Sequence, residues 1–328
     1  MSTPLYRELN LKDGTTVRAA CPRVLSVSRA TDIPALYGAW FMHRLKEGCI
    51  CRVNPFNGKR SWLDLSAVQA MVFWTKNPRP FFRYLPELER RGLAFYFQFT
   101  LNDYVAEGLE PFLPSLEERI ASFKALSGLL GSERVLWRAD PLLLCDSLSV
   151  SQLLERLAHV GDSLQGLTDT LTFSFIDIAP YRKVQSALRR LAPSVREFSA
   201  DEMQAFAEGL NELNKNWGLK LCTCAEAADL SAFGIEKGAC IDAKRLGSLS
   251  EDDTFRDFLE RQGKDRGQRR DCLCIYARDV GAYDSCTHGC VYCYATRSRE
   301  SALKRRAQLL KEETSAQGAE VIPARFIT

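Results

Sequence analysis

Residues 70–100 read AMVFWTKNPRPFFRYLPELERRGLAFYFQFT. At its two ends, residues 70–74 and 94–100, stand runs of strand length rich in aromatic and β-branched side chains. Four more runs of the same kind lie outward along the chain: RVLSVS (23–28), RVLWR (134–138), LTFSFID (171–177) and LKLCTC (219–224). Between them are amphipathic stretches with recognisable ends. Asp32 can cap a helix whose first turn holds Pro34 and whose exit is Gly48, and LPSLEERIASFKALSGLLG and SADEMQAFAEGLNELNKNWG each start around a serine and finish at glycine. Six βα units in succession predict a parallel sheet, open or closed into a partial barrel.

The 328 residues, 46% of them hydrophobic, suffice for one large core. A net charge of +3 is too mild to imply a nucleic-acid partner by itself. The N-terminal MSTPLYRELNLKDGTTVRAA has no apolar signal core, and no run approaches the roughly 18 apolar residues of a membrane span, so a cytoplasmic protein is expected. In a reducing compartment twelve cysteines point to metal or redox chemistry rather than disulfides. Eight of them crowd into the last third: Cys222, Cys224, Cys240, Cys272, Cys274, Cys286, Cys290 and Cys293. The expected organisation is a βα region over 1–221, a cysteine-rich segment over 222–300 that closes its mouth, and a C-terminal helix and tail over 301–328.

Polar residues gather after the predicted strands, where a parallel α/β fold places its ligand-binding rim. Ser28, Arg29, Lys76, Asn77, Gln98, Thr100, Asn102, Arg138 and Asp140 are the candidates, with Thr75, Ser174, Asp177 and Glu226 in similar places. Arg138 and Asp140 are two apart and project to one face, which suits either a binding role or an internal salt bridge. Asp32 reads first as a helix cap.

The eight residues CTHGCVYC place Cys286, Cys290 and Cys293 in C-x3-C-x2-C spacing with Tyr292 just before the last thiol. Three thiolates so close can wrap one side of a cuboidal iron–sulfur cluster and leave one iron open. Zinc is the competing reading, with His288 as a further ligand, although structural zinc usually draws paired C-x2-C knuckles. This triad resembles the signature of radical S-adenosylmethionine enzymes. That resemblance implies a partial (β/α)6 TIM-like barrel with a C-terminal iron–sulfur segment, and a [4Fe-4S] cluster whose open iron binds S-adenosylmethionine. It further implies an electron donor such as flavodoxin or ferredoxin, and a 5′-deoxyadenosyl radical that abstracts hydrogen from an unknown substrate. Lys76, Arg138 and Asp140 are then candidates for catalysis; Ser28, Arg29, Asn77, Gln98, Thr100, Asn102 and Tyr292 are candidates for cofactor binding. The usual triad follows the first strand, whereas this one follows the last.

Four segments, SVSRATDIPALYGAWFMHRLKEG (26–48), VFWTKNP (72–78), FQFTLNDY (97–104) and DCLCIYARDVGAYDSCTHGCVYCYA (271–295), resemble the hallmarks of the family called domain of unknown function 1848. The family has no settled reaction. At least four late thiols remain outside the triad, enough for a closed iron–sulfur cluster or a closed zinc site. The family resemblance selects Cys224, Cys240, Cys272 and Cys274 for it, with Cys222 as a spare, and implies a second [4Fe-4S] cluster or zinc. The alternative function is a nucleic-acid-binding or repair protein: the basic runs KDRGQRR and RSRESALKRRAQLLK flank the cysteines, and Tyr292 and Tyr294 are offered for base stacking. A solvated loop and a surface helix are the simpler reading of both runs.

Overall fold

The computed structural model describes residues 5–11, 14–53, 59–190 and 194–315. The expected tail beyond 315 lies outside the described residues. In chain order, β1 (Leu5–Asn10) and β2 (Thr16–Cys21) precede β3 (Val24–Val27), α1 (Ile33–Leu36) and α2 (Gly38–Glu47). Then follow β4 (Cys49–Val53), β5 (Arg60–Asp64), β6 (Ala70–Thr75), α3 (Leu85–Arg90), β7 (Ala94–Thr100), α4 (Leu116–Leu130), β8 (Val135–Leu142) and β9 (Leu144–Cys145). The chain continues through α5 (Val150–Ser163), β10 (Thr170–Phe175), α6 (Arg182–Leu188), β11 (Val195–Arg196), α7 (Ala200–Trp217), β12 (Lys220–Cys224) and β13 (Ile235–Gly238). It ends with α8 (Ala243–Ser248), α9 (Asp253–Glu260), β14 (Arg278–Asp279) and α10 (Arg299–Ser315).

The main sheet has eight strands in the order β13-β12-β10-β8-β7-β6-β3-β14, and every neighbouring pair is parallel. All six strand-like runs of the sequence lie in it in sequential order. Two members were not expected: β13 extends one edge, and the two-residue β14 adds to the other beside β3. No pairing joins the two edges among the described residues, so the sheet is open. A separate four-stranded sheet, β1-β2-β5-β4, also escaped the sequence reading.

The helix ends follow their sequence signals. Ser115 and Ser199 each form a reciprocal capping box with a glutamate three residues on, at the starts of α4 and α7. Asp32 caps α1, but the helix expected to run on to Gly48 breaks at Tyr37 and resumes as α2.

Strand alternation divides the core into two faces. Phe95, Phe97 and Phe99 of β7, with Phe73, Trp137 and Phe173 of its neighbours, pack into the large cluster beneath the helices. Tyr96 points the other way, joining Val72 and Leu136 against Ile241, Leu246, Phe255, Leu259 and Ile275. The late segment of the chain therefore covers the second face of the sheet. Tyr96 fastens it there, its hydroxyl donating to Cys240 O (2.8 Å) and accepting from Asp242 N (3.0 Å). No described helix is long and apolar enough to cross a membrane.

Candidate active site

Strand ends of the main sheet and the loops around β12–β14 enclose a cavity of about 430 Å³. All seven cysteines singled out in the sequence line it: Cys286, Cys290 and Cys293 from one loop, and Cys224, Cys240, Cys272 and Cys274 from three segments.

The triad loop leaves the sheet from β14, which pairs with β3 through Arg278↔Leu25 and Asp279↔Ser26. Late in sequence, it is nonetheless beside the first strand of the main sheet in space. Residues 26–32 clamp it. The Asp279 carboxylate accepts from Ser26 Oγ (2.6 Å), Ser28 Oγ (2.8 Å), Arg29 N (2.9 Å) and Gly281 N (2.8 Å). Gly281 packs so tightly there that a Cβ would lie 1.7 Å from Ser28 Oγ. Thr31 Oγ1 donates to Ala282 O (2.7 Å), and Tyr37 Oη to Ser285 O (2.7 Å). Asp32 does more than cap: it also accepts from Thr75 Oγ1 (2.8 Å) and Lys76 N (2.7 Å), and meets His288 Nε2 at 2.8 Å. That ring nitrogen, weighed above as a zinc ligand, is thus engaged by a carboxylate.

A second clamp holds Tyr292. Its buried hydroxyl meets Lys76 Nζ (3.0 Å), Asn102 Nδ2 (3.3 Å) and the Glu110 carboxylate. Glu110 in turn takes Lys76 Nζ (2.6 Å) and Arg119 Nη1 (3.1 Å). Burial alone would raise the Glu110 carboxyl pKa, but Lys76 and Arg119 hold it below the usual range. Burial and the adjacent carboxylate push the Tyr292 phenol well up, so it stays neutral. Sequence reasoning missed Glu110 and Arg119. A signal existed: Arg119 occupies a core position in the helical period of α4, between Leu116 and Phe123. A charged group there needs a buried partner.

The other wall carries the four thiols. Cys224 ends β12, Cys240 lies just past β13, and Cys272 and Cys274 precede β14. Cys240 Sγ is 3.2 Å from Cys224 Sγ, and Cys274 Sγ accepts from Ile241 N at 3.3 Å. Cys274 and Cys272 continue the set, and the proximity of Cys274 lowers the Cys272 thiol to about 7. Arg138 Nη1 donates to Cys240 Sγ at 2.9 Å. Cys222 does not line the cavity, and burial pushes its thiol up to about 11.

The donor sets suit soft metal chemistry. Burial, then Asp32, pushes Cys286 up to about 12, and burial raises Cys290 despite Lys76. Thiols so placed ionise when a cation binds them. Among the described residues no three Cys, His, Asp or Glu side chains already converge at the spacing of a single ion. The four thiols instead form a chain of pairwise contacts, a donor set that fits thiolate-held iron–sulfur or zinc.

Of the other expected site residues, Ser28, Arg29, Lys76, Thr100, Arg138, Asp140 and Tyr292 line the cavity. Asn77, Gln98 and Asn102 are not among the lining residues. Gln98 and Asn102 bond the wall through their side chains, and Asn77 through its backbone. Asn77 N donates to Thr75 Oγ1 (3.0 Å); Gln98 Nε2 donates to Cys240 O (3.0 Å); Asn102 bridges Tyr292 and Asp140, whose N donates back to Asn102 Oδ1 (3.1 Å). Arg138 and Asp140 do form the internal ion pair, and Ser174 donates to the same carboxylate. Burial would raise the Asp140 carboxyl, yet Arg138 and Ser174 hold it low. The guanidinium of Arg29 lies over the Trp74 ring at 5.2 Å.

Arg269, read as part of a basic surface run, turns into the cavity lining and pairs with Asp177 at 3.2 Å. Tyr181 and Tyr294 add neighbouring rings, 5.7 Å between centroids. Tyr292 is only 8% exposed, so it is not available to stack on a nucleic-acid base. Tyr294, at 40%, remains accessible.

No curated protein matches this sequence. Among solved structures, a candidate alpha-L-fucosidase from Bacteroides thetaiotaomicron VPI-5482 is similar at 13% identity, over 74% of this chain and 82% of that one, with a TM-score of 0.27. At that score the likeness carries no argument about fold or activity. A family sequence model described as a domain of unknown function, DUF1848, matches residues 24–295, and the chain belongs to that family.

Proposed function

We propose that this protein is a cytoplasmic iron–sulfur enzyme of the radical S-adenosylmethionine type, built on a partial (β/α)6 barrel. The observation that supports this reading is the gathering of all seven cysteines, as a sequence-local triad and a four-thiol set, in the lining of one cavity at the strand ends. A [4Fe-4S] cluster held by Cys286, Cys290 and Cys293 would supply an open iron for S-adenosylmethionine and the electron that cleaves it to a 5′-deoxyadenosyl radical.

The chain's own residues do the rest. Ser28 and Arg29 follow β3 on the cavity wall, Arg29 with its charge near Cys274 and Cys240, where they can orient the cosubstrate. Lys76, fixed by Glu110 and Tyr292, places its amino group near Cys290. The buried walls exclude water from a radical that would otherwise be quenched. A cavity of about 430 Å³ lies within the roughly 300–1,000 Å³ of small-molecule sites. Cys224, Cys240, Cys272 and Cys274 hold a second [4Fe-4S] cluster, or zinc, and an external flavodoxin- or ferredoxin-like carrier supplies electrons.

Anaerobic reconstitution tests this directly. The expected yield is about eight irons per chain, or about four with one zinc. Addition of S-adenosylmethionine and a low-potential reductant should then change one electron paramagnetic resonance signal and release 5′-deoxyadenosine. A fully loaded, reducible protein that releases none overturns the reading.

A further inference from the structure

Arg138 sits on β8 with Thr100 of β7 and Thr172 of β10 as its register partners, and is only 3% exposed. A guanidinium there needs acceptors, and it has three: the Asp140 carboxylate, Gln98 Oε1 at 3.4 Å and Cys240 Sγ at 2.9 Å. The carboxylate alone would balance its charge. The sulfur contact is additional, and it aims a permanently charged donor at a thiol in the middle of the four-thiol chain.

The support behind the arginine is equally ordered. Asp140 is fixed by the Ser174 hydroxyl and by its own backbone N–H on Asn102. Gln98 is fixed by Cys240 O. A line of contacts therefore runs from Ser174 through Asp140 and Arg138 to Cys240, with all four residues on the cavity wall. The triad has no equivalent among the described residues. Cys286 is approached by backbone groups of His288 and Asp32, and Lys76 acts on Cys290 through space. Hydrogen bonds and positive charge at a ligating sulfur favour the more negative, reduced state of a thiolate-held centre.

We propose that Arg138 is a positioning residue that raises the reduction potential of a centre held by Cys224, Cys240, Cys272 and Cys274, with Asp140 and Gln98 fixing its guanidinium on the Cys240 sulfur. This rests on the reading that the four thiols hold a redox-active cluster. It gives Arg138 a task distinct from touching substrate, and makes the two cysteine sets unequal in potential within one cavity.

The test is a redox titration of the reconstituted holoprotein, followed by electron paramagnetic resonance, on wild type, Arg138→Met, Arg138→Lys and Asp140→Asn. In Arg138→Met one of the two midpoints should fall until the reduced-to-oxidised ratio at fixed potential drops tenfold or more, about 59 mV for one electron. The other midpoint should stay put, and Arg138→Lys should recover part of the shift. Asp140→Asn keeps an oxygen acceptor for the guanidinium and removes a nearby negative charge, so it should move the same midpoint upward. Should Arg138→Met fail to fold or load, Arg138→Lys, which keeps the charge and loses the planar fork, carries the test with a smaller downward shift of the same midpoint alone. Unmoved midpoints, or equal shifts of both, overturn the inference. A wild type with one redox signal and one zinc also overturns it, while leaving the triad reading intact.

Discussion

The triad and the four-thiol set face the same cavity but are held in opposite ways. The three thiols of the triad come from one loop, which has internal bonds such as Asp284 N–H to Ala295 O (2.8 Å) and is held from outside by Thr31, Tyr37, Asp32 and the Glu110 network. The four thiols come from three segments, and they touch one another. Their approach is set by the sheet, since parallel pairing of β12 with β13 puts Cys224 opposite Gly238, two residues before Cys240. One set is close in sequence and depends on a clamp; the other is dispersed and depends on topology. The two should therefore fail independently.

The largest expected effect comes from the ligands themselves. Cys290→Ala should remove one iron–sulfur signal and lower 5′-deoxyadenosine release at least a hundredfold, while leaving the second signal. Cys240→Ala should do the reverse to the signals, with some release retained. Iron counts and spectra of the two variants decide it. Loss of both centres in either variant would erase the distinction between the two regions.

A smaller effect is expected from the clamp. Asp279→Ala leaves four donors around Ser26, Ser28, Arg29 and Gly281 without their shared acceptor. The expected cost is about 2–4 kcal/mol in urea unfolding of the apoprotein. The same variant, reconstituted, should lose triad iron faster than four-thiol iron. Equal rates of loss would mean that the clamp serves the fold as a whole.

What the sequence could disclose follows the same divide. The triad spacing, the helix caps and the six central strands of the main sheet are local patterns, set over a few residues, and these were legible, whereas the four-stranded sheet of β1, β2, β4 and β5 was not. The two-residue β14 was not, because so short a strand has no period; only pairing with β3 defines it. For the same reason the late triad looked displaced, although β14 carries it to the flank of the first main-sheet strand. Asn77, Gln98 and Asn102 were placed on the rim by the rule that strand-end polar groups meet ligands. Buried strand ends also need internal acceptors and donors, and the side chains of Gln98 and Asn102 fill that need. Glu110 and Arg119 are only nine residues apart, Glu110 in the loop that leads into α4, but the partners that give the pair its purpose, Lys76 and Tyr292, come from distant parts of the chain.

The smallest expected effects are also the sharpest, because they involve two glycines that lie one in each region. Gly238 sits within β13, where a Cβ would stand 2.8 Å from Cys222 Cβ and 3.1 Å from Thr223 O. Neither atom can swing aside without moving the sheet, so Gly238→Ala should cost about 2–3 kcal/mol by overpacking. Gly289, in the triad loop, has φ 68° and a Cβ position 2.6 Å from the Phe112 ring. That ring is half exposed and lies under the Arg299 guanidinium at 3.7 Å, so it can give way. The remaining cost of Gly289→Ala is the left-handed backbone, about 1–2 kcal/mol. Iron retention under a mild chelator is the measurement. Gly238→Ala should speed loss from the four-thiol centre alone, and Gly289→Ala from the triad alone. A crossed result, with either glycine loosening the other region's iron, would show that the shared cavity couples the two sets more strongly than their separate supports divide them.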